Sequence, residues 1–347
     1  MTPSRGVDSV SPPTFNLSSV YAPIKREMEA TTALLKERLR HDDATFDGYL
    51  EYSFRLGGKR LRPALALLCG KAAGKIDRRC MLVAAALEMI HTGSLVHDDI
   101  LDGAKFRRGL ETINVKWDSQ RAVLIGDLLI TRAFDLICEC EDLEIFRKTS
   151  SCCQATVEGE LFQTEAIGSF ELSIDDYRKI GGGKTASLLE CATWQGAYLG
   201  GARGDELESF GRFGRNLGIA FQIVDDLLDL VGDETTTGKT LGTDLANKKE
   251  TLPLILHFQR VSKEERDALL VRLNAGVEAE ERAKIADELK RSGALDSAKK
   301  VADDLIDETL EIVKELRERA SEAKREEALA AFDSLESLAR FVVKRDK

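Results

Sequence analysis

The sequence predicts an all-α fold, and three observations carry that expectation. Ala, Leu, Glu, Lys and Arg dominate the composition, and these residues lose little side-chain freedom in a helix. Apolar residues recur three and four positions apart from Ala22 almost to the C-terminus, the period of helices with one buried stripe. No alternating run with hairpin residues suggests strands. The chain of 347 residues is 43% hydrophobic, enough for a sizeable core. One domain over residues 19–347 is expected, with no internal linker. Residues 1–18 are rich in Ser, Pro and Thr and read as a disordered tail, with neither the apolar stretch of a secretory signal nor the basic character of a transit peptide.

The elements follow in order. Residues 22–40 carry the helical period. GGKRLRP, residues 57–63, opens a helix with Pro63 near its first turn. Residues 79–102 form a long apolar helix. Residues 122–140 are apolar nearly all round, which predicts burial. Segments 150–166, 184–200 and 208–231 continue the pattern. From 262 to 347 the helices become amphipathic and salt-rich, and their charge runs read as solvated faces. Glycines mark breaks at 57–58, 103, 168, 181–183 and 200–201, and a further break covers 232–243.

Composition also excludes several classes. A net charge of −10 argues against nucleic acid as a partner. No apolar run approaches the roughly 20 residues that span a bilayer, so membrane contact is expected to be peripheral at most. The seven cysteines are odd in number and lie mostly in apolar helical stretches, as reduced core residues of a cytoplasmic protein would. Cys138 and Cys140 lack a second Cys/His pair at zinc spacing.

The chemistry lies in two aspartate clusters. LVHDDILDGAKFRRG, residues 95–109, holds Asp98, Asp99 and Asp102. On a helix Asp98 and Asp102 are about 40° apart and Asp99 is about 100° from Asp98, so all three reach one side. The same spacing recurs at Asp225, Asp226 and Asp229 in FQIVDDLLD, among Phe221, Ile223, Val224, Leu227 and Leu228. A single cluster could be pairing with nearby arginines. If two such clusters, each inside an apolar helix, face one another, their carboxylates could not all stay ionised without cations. Hard divalent ions with oxygen ligands fit, and Mg²⁺ is the default because it completes its shell with phosphate and water.

Basic residues supply the other half. Lys59, Arg60 and Arg62 sit at a helix start, a phosphate-binding setting. Arg107 and Arg108 follow the first cluster. Lys184 and Thr185 follow three glycines, and Lys239, Asp244 and Lys248 lie in GKTLGTDLANKKETLP. Neither GKT string is a P-loop: Arg178 and Asp233 stand where its first glycine belongs, and no strand precedes either.

GGKRLRP, then DDILD within EMIHTGSLVHDDILDGAKFRRG (residues 88–109), then FQIVDDLLD, in this order, resembles the trans-type isoprenyl diphosphate synthases, above all the long-chain polyprenyl branch. The likeness spans roughly residues 25–345. It implies a helical bundle of the isoprenoid synthase type around a deep central cavity, and a homodimer. It implies Mg²⁺, three ions with substrate bound, held by Asp98 and Asp102 from one side and Asp225 from the other, with Asp229 as a further ligand and Asp99 and Asp226 in support. Lys59, Arg62, His91 and Arg108 match positions that bind isopentenyl diphosphate. Arg107, Lys184, Thr185, Gln222 and Lys239 match those around the allylic diphosphate, and Gln163 and Lys248 are further matches. The terminal KRDK resembles a basic tail that folds over the site in some relatives.

The reaction implied is ionisation of the allylic diphosphate, condensation with the isopentenyl double bond and loss of a proton. Thr185 and Gln222 are the candidate cation stabilisers. A terpene cyclase would lack the second DDxxD and have no use for GGKRLRP. A non-catalytic subunit of a heteromeric synthase would be expected to lose aspartates or basic residues, and here both sets are complete. A farnesyl or geranylgeranyl synthase remains an alternative to the long-chain reading. Product length is expected to follow from Gly93 and Ser94, five and four positions before Asp98, where short-chain relatives carry bulky aromatics. Ser94 lies about 40° from Asp98, on the same face; the place of Gly93 on the cavity wall comes from the family alone. Phe134 is the candidate for a deeper stop.

Overall fold

The computed structural model describes residues 16–56, 58–232 and 241–344. Helices α1 (Leu17–Val20), α2 (Lys25–Arg38), α3 (Ala44–Arg55) and α4 (Leu61–Ala73) lead to the long helix α5 (Arg78–Leu101). A two-stranded antiparallel hairpin follows, β1 (Phe106–Arg107) and β2 (Leu110–Glu111). Then come α6 (Ile113–Lys116), α7 (Ser119–Cys138), α8 (Leu143–Ala166) and α9 (Ile174–Gly181). A π-helical segment, Gly182–Ala186, runs into α10 (Ser187–Gly200), and α11 (Gly204–Val231) completes the central bundle. The remainder is α12 (Thr243–Ala246), α13 (Leu252–Phe258), α14 (Lys263–Ala275), α15 (Ala279–Arg291), α16 (Ala294–Glu322) and α17 (Leu329–Val343).

The all-α expectation holds, with differences that have physical causes. Leu17 and Ser18 belong to the first helix rather than to the tail, because Asn16 caps it by accepting from the Ser18 backbone N–H. The hairpin was invisible as a strand pattern because each strand is two residues long. The helix α5 is long and apolar enough to cross a membrane, contrary to the sequence reading. It is instead the central helix, packed by α2, α4, α7 and α10, and Asp77 caps it by accepting from the N–H groups of Arg79 and Cys80. The helix read as buried all round, α7, leaves Val123 and Leu124 exposed.

Two close approaches shape the cavity wall. A Cβ at Gly93 would lie 2.9 Å from the Gly126 carbonyl oxygen, so Gly93 faces the backbone of α7. That overturns its assignment to the cavity wall: the glycine lets α5 and α7 pack tightly. On the other side, a Cβ at Gly159 of α8 would lie 2.6 Å from the Lys184 backbone nitrogen. The π-helical segment is therefore seated directly on α8. Such one-turn π segments widen the backbone, and here the widening carries Lys184 and Thr185.

Candidate active site

Both aspartate motifs lie in the last turns of their helices, α5 and α11. The negative ends of two helix dipoles thus add to the carboxylate charge. Between them is a cavity of about 600 Å³ whose lining includes Asp98, Asp102, Asp225, Asp226 and Asp244. Apolar side chains, among them Leu95, Leu161, Leu188 and Phe221, complete the wall.

The carboxylates divide by role. Asp98 is half-buried, and partial loss of water, with repulsion from Glu160 and Asp102, lifts its pKa to about 6. Asp102 pairs with Lys249 at 2.8 Å. Asp99 is held by Arg107, whose Nε reaches both carboxylate oxygens at 3.0 Å and whose Nη2 reaches Oδ1 at 2.7 Å. Asp99 is thus a counter-ion for the hairpin arginine, and Arg107 reaches the cavity from that anchor. Asp226 is buried and accepts from Tyr177 at 2.6 Å and Gln222 at 2.7 Å. Asp229, read as a metal ligand, caps α12 instead: it accepts from Thr243 N–H at 3.2 Å, Thr243 Oγ1 at 3.0 Å and Asp244 N–H at 3.1 Å. That cap swings Asp244 into the cavity, where burial and Asp229 raise its pKa to about 6.

Two lysines stand among the acids. Lys184 contacts Glu160 at 2.5 Å and donates to Gln163 at 2.9 Å, so Gln163 does belong to the site. Lys249, its neighbour in the sequence, is the one that reaches the site, while Lys248 has a left-handed backbone (φ 54°) and turns toward Asn274. The neighbouring lysines could not be told apart without the turn that ends α12. Lys239 and residues 345–347 of the terminal KRDK lie outside the described residues.

Among the described residues no three acid, imidazole or thiol side chains converge closely enough to hold an ion as they stand. The donor set nevertheless fits Mg²⁺. Asp98, Asp102, Asp225, Asp244 and Glu160 share one cavity. Partial loss of water raises the pKa of Asp98 and Asp244, which shows that the two lysines compensate them incompletely. A hard divalent ion would take a few of these oxygens and fill its remaining positions with diphosphate and water.

The basic pole is built on α4, α5 and the hairpin. The Arg62 side chain is half-buried, and the loss of water around its guanidinium lowers its pKa to about 10. Its Nε has no hydrogen-bond partner, an orphaned donor that an anion would satisfy. His91 lines the same cavity, and burial together with Arg62, Arg107 and Arg108 holds its pKa well below the usual value, so the imidazole is neutral. Arg108 donates to the Leu56 carbonyl at 3.1 Å and lies against Gly58. Lys59 sits 5.4 Å from the centre of the Phe341 ring. Sequence reasoning missed Glu88, one turn before His91 on α5. It is buried, its pKa is raised by burial, and Arg62, Arg60 and Arg108 oppose that rise. It is an acid set among these arginines, with burial outweighing their pull on its proton.

Ser94 lines the cavity, its hydroxyl donating to the Ile90 carbonyl at 3.0 Å. Phe134 does not line it. Its ring packs on Phe146 of α8, with centroids 5.8 Å apart.

A helical bundle with two acid motifs and a basic pole around one cavity defines a class of enzyme, and the comparisons agree. Residues 43–289 match the polyprenyl synthetase family. The chain belongs to that family and is a trans-prenyl diphosphate synthase, a prenyltransferase. It is 36% identical over 300 residues, covering 86% of this chain and 92% of the relative, to an all-trans-nonaprenyl-diphosphate synthase (geranyl-diphosphate specific) of Rhodobacter capsulatus. It is 35% identical over 300 residues, 85% of this chain and 89% of the relative, to a short chain isoprenyl diphosphate synthase of Methanothermobacter thermautotrophicus. A polyprenyl synthase of Caulobacter crescentus, solved with calcium and isoprenyl diphosphate, superimposes with a TM-score of 0.85 at 30% identity, covering 97% of this chain and all of that one. The family uses a divalent metal to ionise the diphosphate.

Proposed function

We propose that the protein condenses isopentenyl diphosphate head-to-tail onto an allylic diphosphate, such as farnesyl or geranylgeranyl diphosphate, to give a long all-trans polyprenyl diphosphate in the hexaprenyl to decaprenyl range. One observation carries this reading: a carboxylate pole and an arginine pole with an orphaned Arg62 donor open onto one apolar cavity that has Ser94 in its wall. Two poles suit two diphosphates.

Mg²⁺, with three ions when substrate is bound, would be held by Asp98, Asp102 and Asp225 with Asp244 nearby, and would stabilise the charge on the departing pyrophosphate. Lys184, Lys249 and Arg107 bind the same diphosphate oxygens from the protein side. Arg62 and neutral His91 hold isopentenyl diphosphate. Thr185 and Gln222 face the allylic cation with their oxygens. The apolar wall excludes water that would quench it. The proton leaves to pyrophosphate, and no nucleophilic side chain takes part.

Incubation of the purified protein with Mg²⁺, isopentenyl diphosphate and farnesyl diphosphate, followed by chromatography of the dephosphorylated products, tests the reading. Products of six to ten isoprene units support it. A product that stops at geranylgeranyl length would favour the short-chain alternative, which the name of the Methanothermobacter relative keeps in view.

Arg62→Ala is expected to raise the Michaelis constant for isopentenyl diphosphate by at least about tenfold, because a charge-assisted contact is lost. Saturation curves for each substrate separate the poles. A shift confined to the allylic substrate would mean that the two diphosphate sites are assigned the wrong way round.

The same reading includes a homodimer in the cytoplasm. In support, α7 and α8 expose Val123, Leu124, Leu143, Phe146, Val157, Leu161 and Phe162, an apolar area that a second copy would cover. Val157 and Leu161 also line the cavity, so that copy would close its side. Sedimentation velocity reads the outcome, and a monomer at micromolar concentration would refute it. All seven cysteines are free thiols and five are buried, consistent with a reducing compartment.

A further inference from the structure

A chain of short hydrogen bonds runs along the cavity wall. Tyr177 of α9 is buried, and its hydroxyl donates to Asp226 Oδ2 at 2.6 Å. The other oxygen of that carboxyl, Oδ1, accepts from Gln222 Nε2 at 2.7 Å. The far end of the amide, Gln222 Oε1, accepts from Thr185 Oγ1 at 2.6 Å. The four residues come from three separate pieces of chain: α9, the π-helical segment and α11.

The order of donors in this chain has a consequence for charge. An amide can present either its oxygen or its NH₂ to Thr185. Asp226 decides which. As a carboxylate Asp226 accepts at both oxygens, and Tyr177 holds Oδ2 so that Oδ1 is aimed at the amide, which places its NH₂ there. Gln222 Oε1 then faces Thr185 and takes its single hydroxyl proton. Thr185 lines the cavity with lone pairs free and its proton turned away. The reversed amide would donate to Thr185 and turn that O–H toward the cavity, presenting a positive end where a cation forms. Fixed dipoles aimed at developing charge stabilise it only when their sign is right.

We infer that Tyr177 is a positioning residue for the cation step: by holding Asp226 it sets the direction of the Gln222 amide, and through it the direction of the Thr185 hydroxyl. This rests on the proposed reaction, in which an allylic cation forms in this cavity. It gives Asp226 a task apart from metal binding and gives buried Tyr177 a task beyond packing.

The test is a double-mutant cycle with Tyr177→Phe and Thr185→Val. Tyr177→Phe should lower kcat about 10- to 100-fold, the range typical when an outer partner of a site residue is lost. Both Michaelis constants should stay within about twofold, and the share of prenyl alcohol formed by water capture should rise. In the Tyr177→Phe background Thr185→Val should cost much less than in wild type, because the hydroxyl is already misdirected. A merely structural tyrosine would lower the melting temperature but leave the two effects multiplicative. Should Tyr177→Phe fail to fold, the cycle is run with Gln222→Met and Thr185→Val, where the same non-multiplicative result is expected. Wild-type turnover is the control. Its absence would sink the proposed reaction itself, whereas turnover with multiplicative effects, or an unchanged kcat in Tyr177→Phe, would overturn the relay alone.

Discussion

Asp98→Ala and Asp225→Ala are each expected to cut turnover by at least about 100-fold, the scale of losing a principal electrostatic contact with the departing group. Neither should lower the melting temperature of the metal-free protein. For Asp98 the sign can be worked out. Its folded-state pKa is lifted to about 6, above the value of an exposed aspartate, so stability falls as the pH rises from that exposed value to about 6 and the whole cost is present above it. Alanine removes that cost. A thermal melt at neutral pH should show Asp98→Ala equal to or above wild type, while a product assay over a range of Mg²⁺ concentrations shows the loss. Near-normal turnover of both variants at low Mg²⁺ would sink the metal assignment.

Ser94→Phe is expected to shorten the product to about farnesyl or geranylgeranyl length. The chain's head is pinned at the carboxylates, and its tail seeks apolar surface along α5. Ser94 stands on the cavity wall about one turn from Asp98, and its small side chain is folded back onto the Ile90 carbonyl. A phenyl ring there has nowhere to go but the path of the tail. Ser94→Ala, which keeps the space, should leave the distribution unchanged. Chromatography of dephosphorylated products reads both variants. A Ser94→Phe enzyme with wild-type products would place the tail elsewhere. Gly93 no longer shares this prediction, because a side chain there would meet the Gly126 carbonyl rather than the product.

Much of the site was legible because chemistry and period coincide in it. Carboxylates at i, i+1 and i+4 in an apolar helix are costly unless a cation is expected, so two such clusters identified metal-assisted work on an anion. The arginines of GGKRLRP and FRRG identified the second anion. What could not be read is which of these charges face one another. Asp99, Asp226 and Asp229 share motif and spacing with Asp98 and Asp225, yet one anchors Arg107, one holds an amide and one caps a helix. Tyr177 carries no motif, and Glu88 opens the quoted stretch of residues 88–109 with no spacing that assigns it a role. Each matters only because a distant segment folds against it.

By itself, then, the sequence determined the all-helical class, the two acid clusters, the basic helix start and the chemistry they imply, because those follow from composition, period and short-range spacing along one helix. Only the tertiary structure decided that Lys249 rather than Lys248 enters the site, that Asp244 joins the acids, that Gly93 serves a helix crossing and that Phe134 lies outside the cavity. The physical reason is the same in each case. A helix fixes the angle between its own residues, but which side meets a neighbour, and which side meets the cavity, depends on the packing of helices far apart in the chain.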